Sequence, residues 1–145
     1  MNTQTFKNET ELQSFAEKFA KEIDGMAGPQ TIALTGDLGA GKTTFTKHFL
    51  KALGAKEEIL SPTFVLLKNH HLPSAKHTTA THIDLYRLED LEEIFTLGLA
   101  EDLKDTRKII LIEWAERIKE GLPSDTTWLE FHHGETEGER SLMIN

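Results

Sequence analysis

Gly36-Asp37-Leu38-Gly39-Ala40-Gly41-Lys42-Thr43 fits the pattern G-x-x-x-x-G-K-[ST] at every fixed position, and the apolar run Ile32-Ala33-Leu34 leads straight into it. Strand, glycine-rich loop and helix in that order predict a site for a nucleoside triphosphate. Glycine lets the backbone turn its N–H groups inward around phosphate oxygens, and the dipole of the following helix favours negative charge at its start. The candidate phosphate-binding residues are therefore Asp37, Leu38, Gly39, Ala40, Gly41, Lys42, Thr43 and Thr44. Lys42 supplies a point charge to the outer phosphates, and the Thr43 hydroxyl suits magnesium.

The chain organises around this loop. Upstream, Leu12, Phe15, Ala16, Phe19, Ala20 and Ile23 share one face at helical spacing, with Asn8 and Glu11 as a capping box. A strand is expected over Thr31 to Thr35, and after the loop a helix burying Phe45, Phe49 and Leu53 and stopping at Gly54. Its Lys47 and Lys51 read as a solvated polar face. Phe64 to Leu67 and His82 to Tyr86 are expected strands of an antiparallel ribbon, joined by a long polar connection from Asn69 to Ala80. Leu91 to Leu97 predicts a short helix ending at Gly98. Ile109 to Ile112 is a continuous apolar run of the kind buried on both faces of a parallel sheet. Trp114 to Glu120 is an expected helix, and the alternations at Leu129/Phe131 and Leu142/Ile144 predict a C-terminal hairpin.

Turnover of a nucleotide needs more than a phosphate loop: an acid at a strand end to serve magnesium, and a group that orients water. Glu113, directly after the apolar run, has the form of the first, because a strand beside the phosphate-loop strand would deliver its carboxylate near Thr43. Asp84, within His82-Ile83-Asp84-Leu85-Tyr86-Arg87, is the second candidate acid. Lys42, Asp84 and Glu113 form the candidate catalytic set, with Thr43 and Glu113 as candidate metal ligands. Ser61-Pro62-Thr63-Phe64 occupies the place of a mobile switch loop, with a stiffened backbone at Pro62 and a hydroxyl at Thr63. The seven histidines, including His70-His71 and His132-His133, do not have metal-ligand spacing, since neighbours on a strand point to opposite faces.

The bulk numbers set limits. At 145 residues the chain is expected to be one domain, 1–145, and the absence of cysteine excludes disulfides and zinc–thiolate centres. No leader or membrane span is expected, which points to the cytoplasm. Sixteen Lys+Arg against 24 Asp+Glu give a net charge of −8, which argues against unaided binding of nucleic acid.

Taken together, GDLGAGKTTFTK, SPTF, HIDLYRL, Leu97-Gly98-Leu99-Ala100-Glu101 and LIEWAE, in this order and spacing, resemble the TsaE (YjeE) family of small bacterial P-loop ATPases required for threonylcarbamoyladenosine in tRNA. The resemblance runs from about Leu12 to Glu116. It implies an α/β, three-layer P-loop NTPase fold with a mixed, largely parallel sheet. It also implies ATP and Mg2+ as cofactors, and hydrolysis that drives or resets a complex of TsaB and TsaD acting on tRNA next to the anticodon. Contact with tRNA then runs through these partners. Carried over residue by residue, it gives Lys42 and Thr43 to phosphate and magnesium, Glu113 to the magnesium site, Ser61 to Phe64 to the switch, and Asp84 to hydrolysis. Ala115 stands where many members carry proline, a change the first helical turn tolerates. Asn69 to Ala80 and the C-terminal hairpin match weakly; Thr10, at the start of the first helix, and His133, at the hairpin end, are the candidate adenine contacts. Two other functions share the loop: a small-molecule kinase, which would need an arginine-rich lid that no segment here supplies, and a nucleotide-dependent binding switch with negligible turnover.

Overall fold

The computed structural model describes residues 2–37, 39–56 and 67–145. In chain order the elements are β1 (Asn2–Phe6), α1 (Glu9–Asp24), β2 (Gln30–Gly36), α2 (Lys42–Ala52), β3 (Leu67–His71), β4 (Thr79–Asp84), α3 (Glu92–Thr96), α4 (Leu99–Asp102), β5 (Lys108–Glu113), a 3₁₀ segment (Ala115–Gly121), β6 (Thr127–His133) and β7 (Arg140–Ile144). The strands form one sheet in the spatial order β1-β7-β6-β2-β5-β4-β3. Its middle is parallel, with β6, β2, β5 and β4 side by side, and its margins β3, β7 and β1 are antiparallel.

The sheet lies between two helical layers, and β5 shows why. Ile109, Ile110, Leu111 and Ile112 are all fully buried, and successive side chains alternate between faces. Ile109 and Leu111 join the core under α1 and α2, where Phe15, Phe19, Phe45, Phe49 and Phe131 pack ring against ring at centroid distances from 5.5 to 6.1 Å. Ile110 and Ile112 join Ala33, Ile83, Ile94, Leu99, Leu103 and Ile118 on the other face, beneath α3, α4 and the 3₁₀ segment. The three-layer mixed sheet and the C-terminal hairpin are thus as expected.

Several local readings are corrected. Asn2–Phe6, to which no local pattern assigns an element, is a strand, paired with β7 from Asn2 opposite Ile144 to Phe6 opposite Arg140. The antiparallel ribbon of β3 and β4 exists; Phe64, Val65 and Leu66 of the expected strand lie outside the described residues, and β3 covers Leu67–His71, so Asn69, His70 and His71 belong to a strand and not to a loop. Backbone pairing with Ala80, Thr79 and Thr81 supplies what their polar side chains do not. The expected helix after Glu113 is a 3₁₀ segment kinked at Ile118, whose φ of −127° lies outside helical values. The hairpin also does more than flank the core, because β6 extends the parallel sheet directly beside β2.

Candidate functional site

The site forms at the C-terminal ends of the parallel strands, where α/β sheets open toward ligands. β2 ends at Gly36, whose φ of +123° is open to glycine, and a Cβ there would sit 2.1 Å from the Phe131 carbonyl oxygen. Only glycine lets the loop leave β2 this close to β6. Gly41, at φ +111°, then turns the chain into α2. The two helix starts differ. Asn8 caps α1 by accepting from the Glu11 N–H at 3.0 Å, and Glu9 and Glu11 occupy its first turn. α2 has no capping side chain and no acid in its first turn, so its leading N–H groups and the positive end of its dipole face the cavity beside it.

That cavity has a volume of about 540 Å³ and is lined by Gly39, Gly41, Lys42, Thr43, Thr44, Asp84 and Glu113, among others. It therefore brings together the loop, the lysine, the threonine and both acids. Ala40 is fully buried under the loop, with its N–H donating to the Asp37 carbonyl at 3.1 Å. Thr43 Oγ1 donates to Glu113 Oε1 at 3.4 Å, because β5 is the immediate neighbour of β2 and its last residue, Glu113, pairs with Leu34 near the end of β2. Asp84 lies opposite Glu113 in the β4–β5 register, and its Oδ1 accepts from the Tyr86 N–H at 3.0 Å. The donors fit the expected groups. Uncapped α2 amides suit phosphate, and the Thr43 hydroxyl with the Glu113 carboxylate forms a hard-oxygen pair suited to magnesium.

Lys42 is buried, at 5% exposure. Its Nζ donates to the carbonyls of Gly36 and Asp37, the latter at 2.9 Å, and lies 4.2 Å from the centre of the Trp114 ring. Burial pushes its ammonium below the ordinary lysine value, against the opposing pull of Glu116, Glu113, Asp37 and Asp84. Trp114 is the one non-glycine residue of positive φ among the described residues, at 60°. The chain turns sharply there at the end of β5, and the Trp114 ring packs against Tyr86 at 5.0 Å on the cavity wall.

The remaining candidates are less central. Leu38 and the switch residues Ser61, Pro62, Thr63 and Phe64 lie outside the described residues. His133 stands beside the loop, its Cε1 3.8 Å from where a Cβ on Gly39 would be. Thr10 is exposed in the first turn of α1, with its carbonyl accepting from Ser14 Oγ at 3.1 Å; its neighbours Asn8, Glu9 and Leu12 line the cavity and Thr10 is not among the lining residues. Sequence reasoning gave no role to Arg140, which lines the cavity from the start of β7, or to His82, whose Nε2 meets Glu113 Oε2 at 2.6 Å. The signal for His82 was its place two residues before Asp84, hence on the same strand face.

Comparison with known proteins agrees with this geometry. The family model described as Threonylcarbamoyl adenosine biosynthesis protein TsaE matches residues 6–142. The tRNA threonylcarbamoyladenosine biosynthesis protein TsaE of Rickettsia bellii is 44% identical over 127 residues, covering 86% of this chain and 82% of the relative. The protein of that name from Haemophilus influenzae is 37% identical over 123 residues, covering 83% and 75%. Among solved structures, Bacillus subtilis YdiB superposes with a TM-score of 0.71 at 27% identity, covering 99% of this chain and 83% of that one. A match running from the end of β1 into β7 takes in the loop, both strand-end acids and the hairpin that closes the cavity, and so the chain belongs to the TsaE family of tRNA threonylcarbamoyladenosine biosynthesis proteins.

Proposed function

We propose that this chain is a magnesium-dependent ATPase, one domain over residues 1–145, that drives or resets a TsaB–TsaD assembly forming threonylcarbamoyladenosine in tRNA, and that it works in the cytoplasm. No helix among the described residues is long and apolar enough to cross a membrane. The observation that carries the activity is the single cavity uniting Lys42, Thr43, Asp84 and Glu113 at an uncapped helix start. In this reading the α2 amides and Lys42 hold the phosphates. Lys42 reaches them by leaving the carbonyls of Gly36 and Asp37, where it is already partly desolvated. Magnesium, when bound, neutralises charge on the outer phosphates. Thr43 and Glu113 hold it, and Asp84, level with Glu113 on the next strand, orients water. Arg87 and Arg140 both line the cavity and are the cations available in cis. Ser61 to Phe64 act as the switch. The adenine is assigned to the side between the start of α1, near Thr10, and the end of β6, near His133.

The test is turnover of γ-labelled ATP by the purified chain with and without TsaB–TsaD. Slow release of inorganic phosphate, accelerated by the partners and abolished in Lys42→Ala, supports the reading. Transfer of label to a small acceptor would make the chain a kinase, and full-speed release without partners would remove the dependence on the assembly. With a net charge of −8, the isolated chain is expected not to bind tRNA tightly at physiological salt, which an anisotropy titration checks.

A further inference from the structure

We infer that His82 is the positioning residue of the metal site: it holds Glu113 so that the other carboxylate oxygen stays aimed at Thr43. The inference rests on the magnesium assignment made above for Thr43 and Glu113. Glu113 is almost fully buried, at 2% exposure, and its two oxygens are divided between two partners. Oε2 meets His82 Nε2 at 2.6 Å, while Oε1 meets Thr43 Oγ1 at a looser 3.4 Å. The terminal torsion of a glutamate is soft and nearly two-fold, so its side-chain packing alone does not fix where Oε1 points. A short hydrogen bond on Oε2 does. An ionised carboxylate only accepts, so His82 donates from Nε2.

The surroundings of His82 argue against a purely structural role. The side chain is 1% exposed on β4, and its Nδ1 is buried with no hydrogen-bond partner among the described residues. A buried nitrogen in that condition costs stability, and the face around it is built of residues such as Ala80, Leu111 and Ile109, which bear no such cost. An apolar side chain would fill the place more cheaply for the fold. What only a donor at this position supplies is the bond to Glu113. Metal-site ligands held by outer hydrogen bonds lose roughly ten- to a hundredfold in metal affinity when the support is removed.

The experiment is a calorimetric titration of ADP into the full chain with saturating Mg2+ and, separately, with EDTA, for wild type, His82→Leu, His82→Asn and His82→Gln. Magnesium should tighten ADP binding in the wild type, and His82→Leu should lose roughly tenfold or more of that tightening. Affinity in EDTA should stay within about twofold of wild type, because the α2 amides are untouched. Glutamine reaches about as far as Nε2 and should recover most of the effect, whereas asparagine stops short and should behave like leucine. Thermal unfolding of each variant accompanies the titrations, and if His82→Leu does not fold, the asparagine–glutamine contrast decides. Unchanged magnesium tightening in His82→Leu or His82→Asn would overturn the inference, as would an equal loss in both arms. A wild type whose ADP affinity ignores magnesium would instead overturn the metal assignment itself.

Discussion

Two histidines, both almost wholly buried, sit at opposite ends of the parallel strands and are treated in opposite ways. His77, just before β4, places Nδ1 3.1 Å from Asp24 Oδ1 and Nε2 2.9 Å from the Gly28 carbonyl oxygen. Ser74 adds a third tie, its hydroxyl donating to the same Asp24 oxygen at 2.7 Å. That cluster fastens the end of α1 and the approach to β2 onto the β3–β4 connection, with both imidazole nitrogens within hydrogen-bond distance of an oxygen. His82, at the other end of β4, has one nitrogen on Glu113 and the other with no partner among the described residues. The satisfied end is built for cohesion. The end with an orphaned nitrogen, a desolvated lysine and a buried carboxylate gives up stability to hold chemistry in place.

The contrast predicts opposite mutational signatures. At the cavity end, Glu113→Gln and Asp84→Asn should each lower ATP turnover in the complete assembly on the order of a hundredfold or more, while ADP binding survives. Stability measured by urea unfolding should fall little or rise for Glu113→Gln, because a buried charge is removed. Wild-type turnover in either variant would show that the acid has another role. At the far end, His77→Leu should destabilise the protein by about 2 kcal/mol, because it removes the imidazole that meets both Asp24 and the Gly28 carbonyl, and should leave nucleotide affinity unchanged. Equal losses of stability and affinity there would dissolve the distinction between the two ends.

What the amino-acid sequence made legible follows the same division. β2, the loop, α2 and β5 could be read because their signals are local: an apolar run, fixed glycines, a 3.6-residue stripe. Glu113 could be placed near Thr43 because it ends the apolar run of a strand expected beside β2. β1 could not be read. Of Asn2–Phe6 only Phe6 is buried, and what makes the segment a strand is the open edge of β7. The run of β3 beyond Leu67 is not legible for a related reason, since Leu67-Lys68-Asn69-His70-His71 has no apolar alternation and owes its form to β4. The role of His82 is not legible in its local sequence, because it depends on the β4–β5 register, which sets Asp84 level with Glu113 and His82 level with Leu111. Registers between distant strands are set by the closed sheet and not by local pattern.

A smaller effect tests where α1 belongs, since this helix runs from the cavity, at Asn8 and Glu9, to the far cluster, at Asp24. Asn8 caps the helix through the Glu11 N–H, and Glu11 Oε2 in turn accepts from the Lys7 N–H at 2.7 Å, one residue earlier than a reciprocal box would have it. Asn8→Ala should therefore cost about 1 kcal/mol of stability. ADP affinity should change by less than about threefold if the residue is only a cap. A larger loss, with stability intact, would mark Asn8 as a ligand contact and draw the start of α1 wholly into the site.

The smallest expected effect concerns Lys42 and carries the sign of the whole comparison. Burial lowers its folded-state pKa below the ordinary 10.5, so the unfolded chain holds the proton more firmly than the folded one. Stability contributed by this group is then present in full above 10.5 and is lost as pH falls through the lowered folded value. Below that lowered value the protein carries the complete penalty of a desolvated ammonium. Lys42→Met has no proton to exchange, so the difference in unfolding free energy, wild type minus variant, should move in favour of the wild type as pH rises toward 10.5. Urea titrations over a pH series measure it, and the other titrating groups cancel to the extent that they are shared by both proteins. A difference that stays flat, or moves the other way, would mean that Glu116, Glu113, Asp37 and Asp84 together with the loop carbonyls stabilise the ammonium more than burial disfavours it. The cavity end would then be as well satisfied as the His77 cluster, and strain would not distinguish the two ends of the sheet.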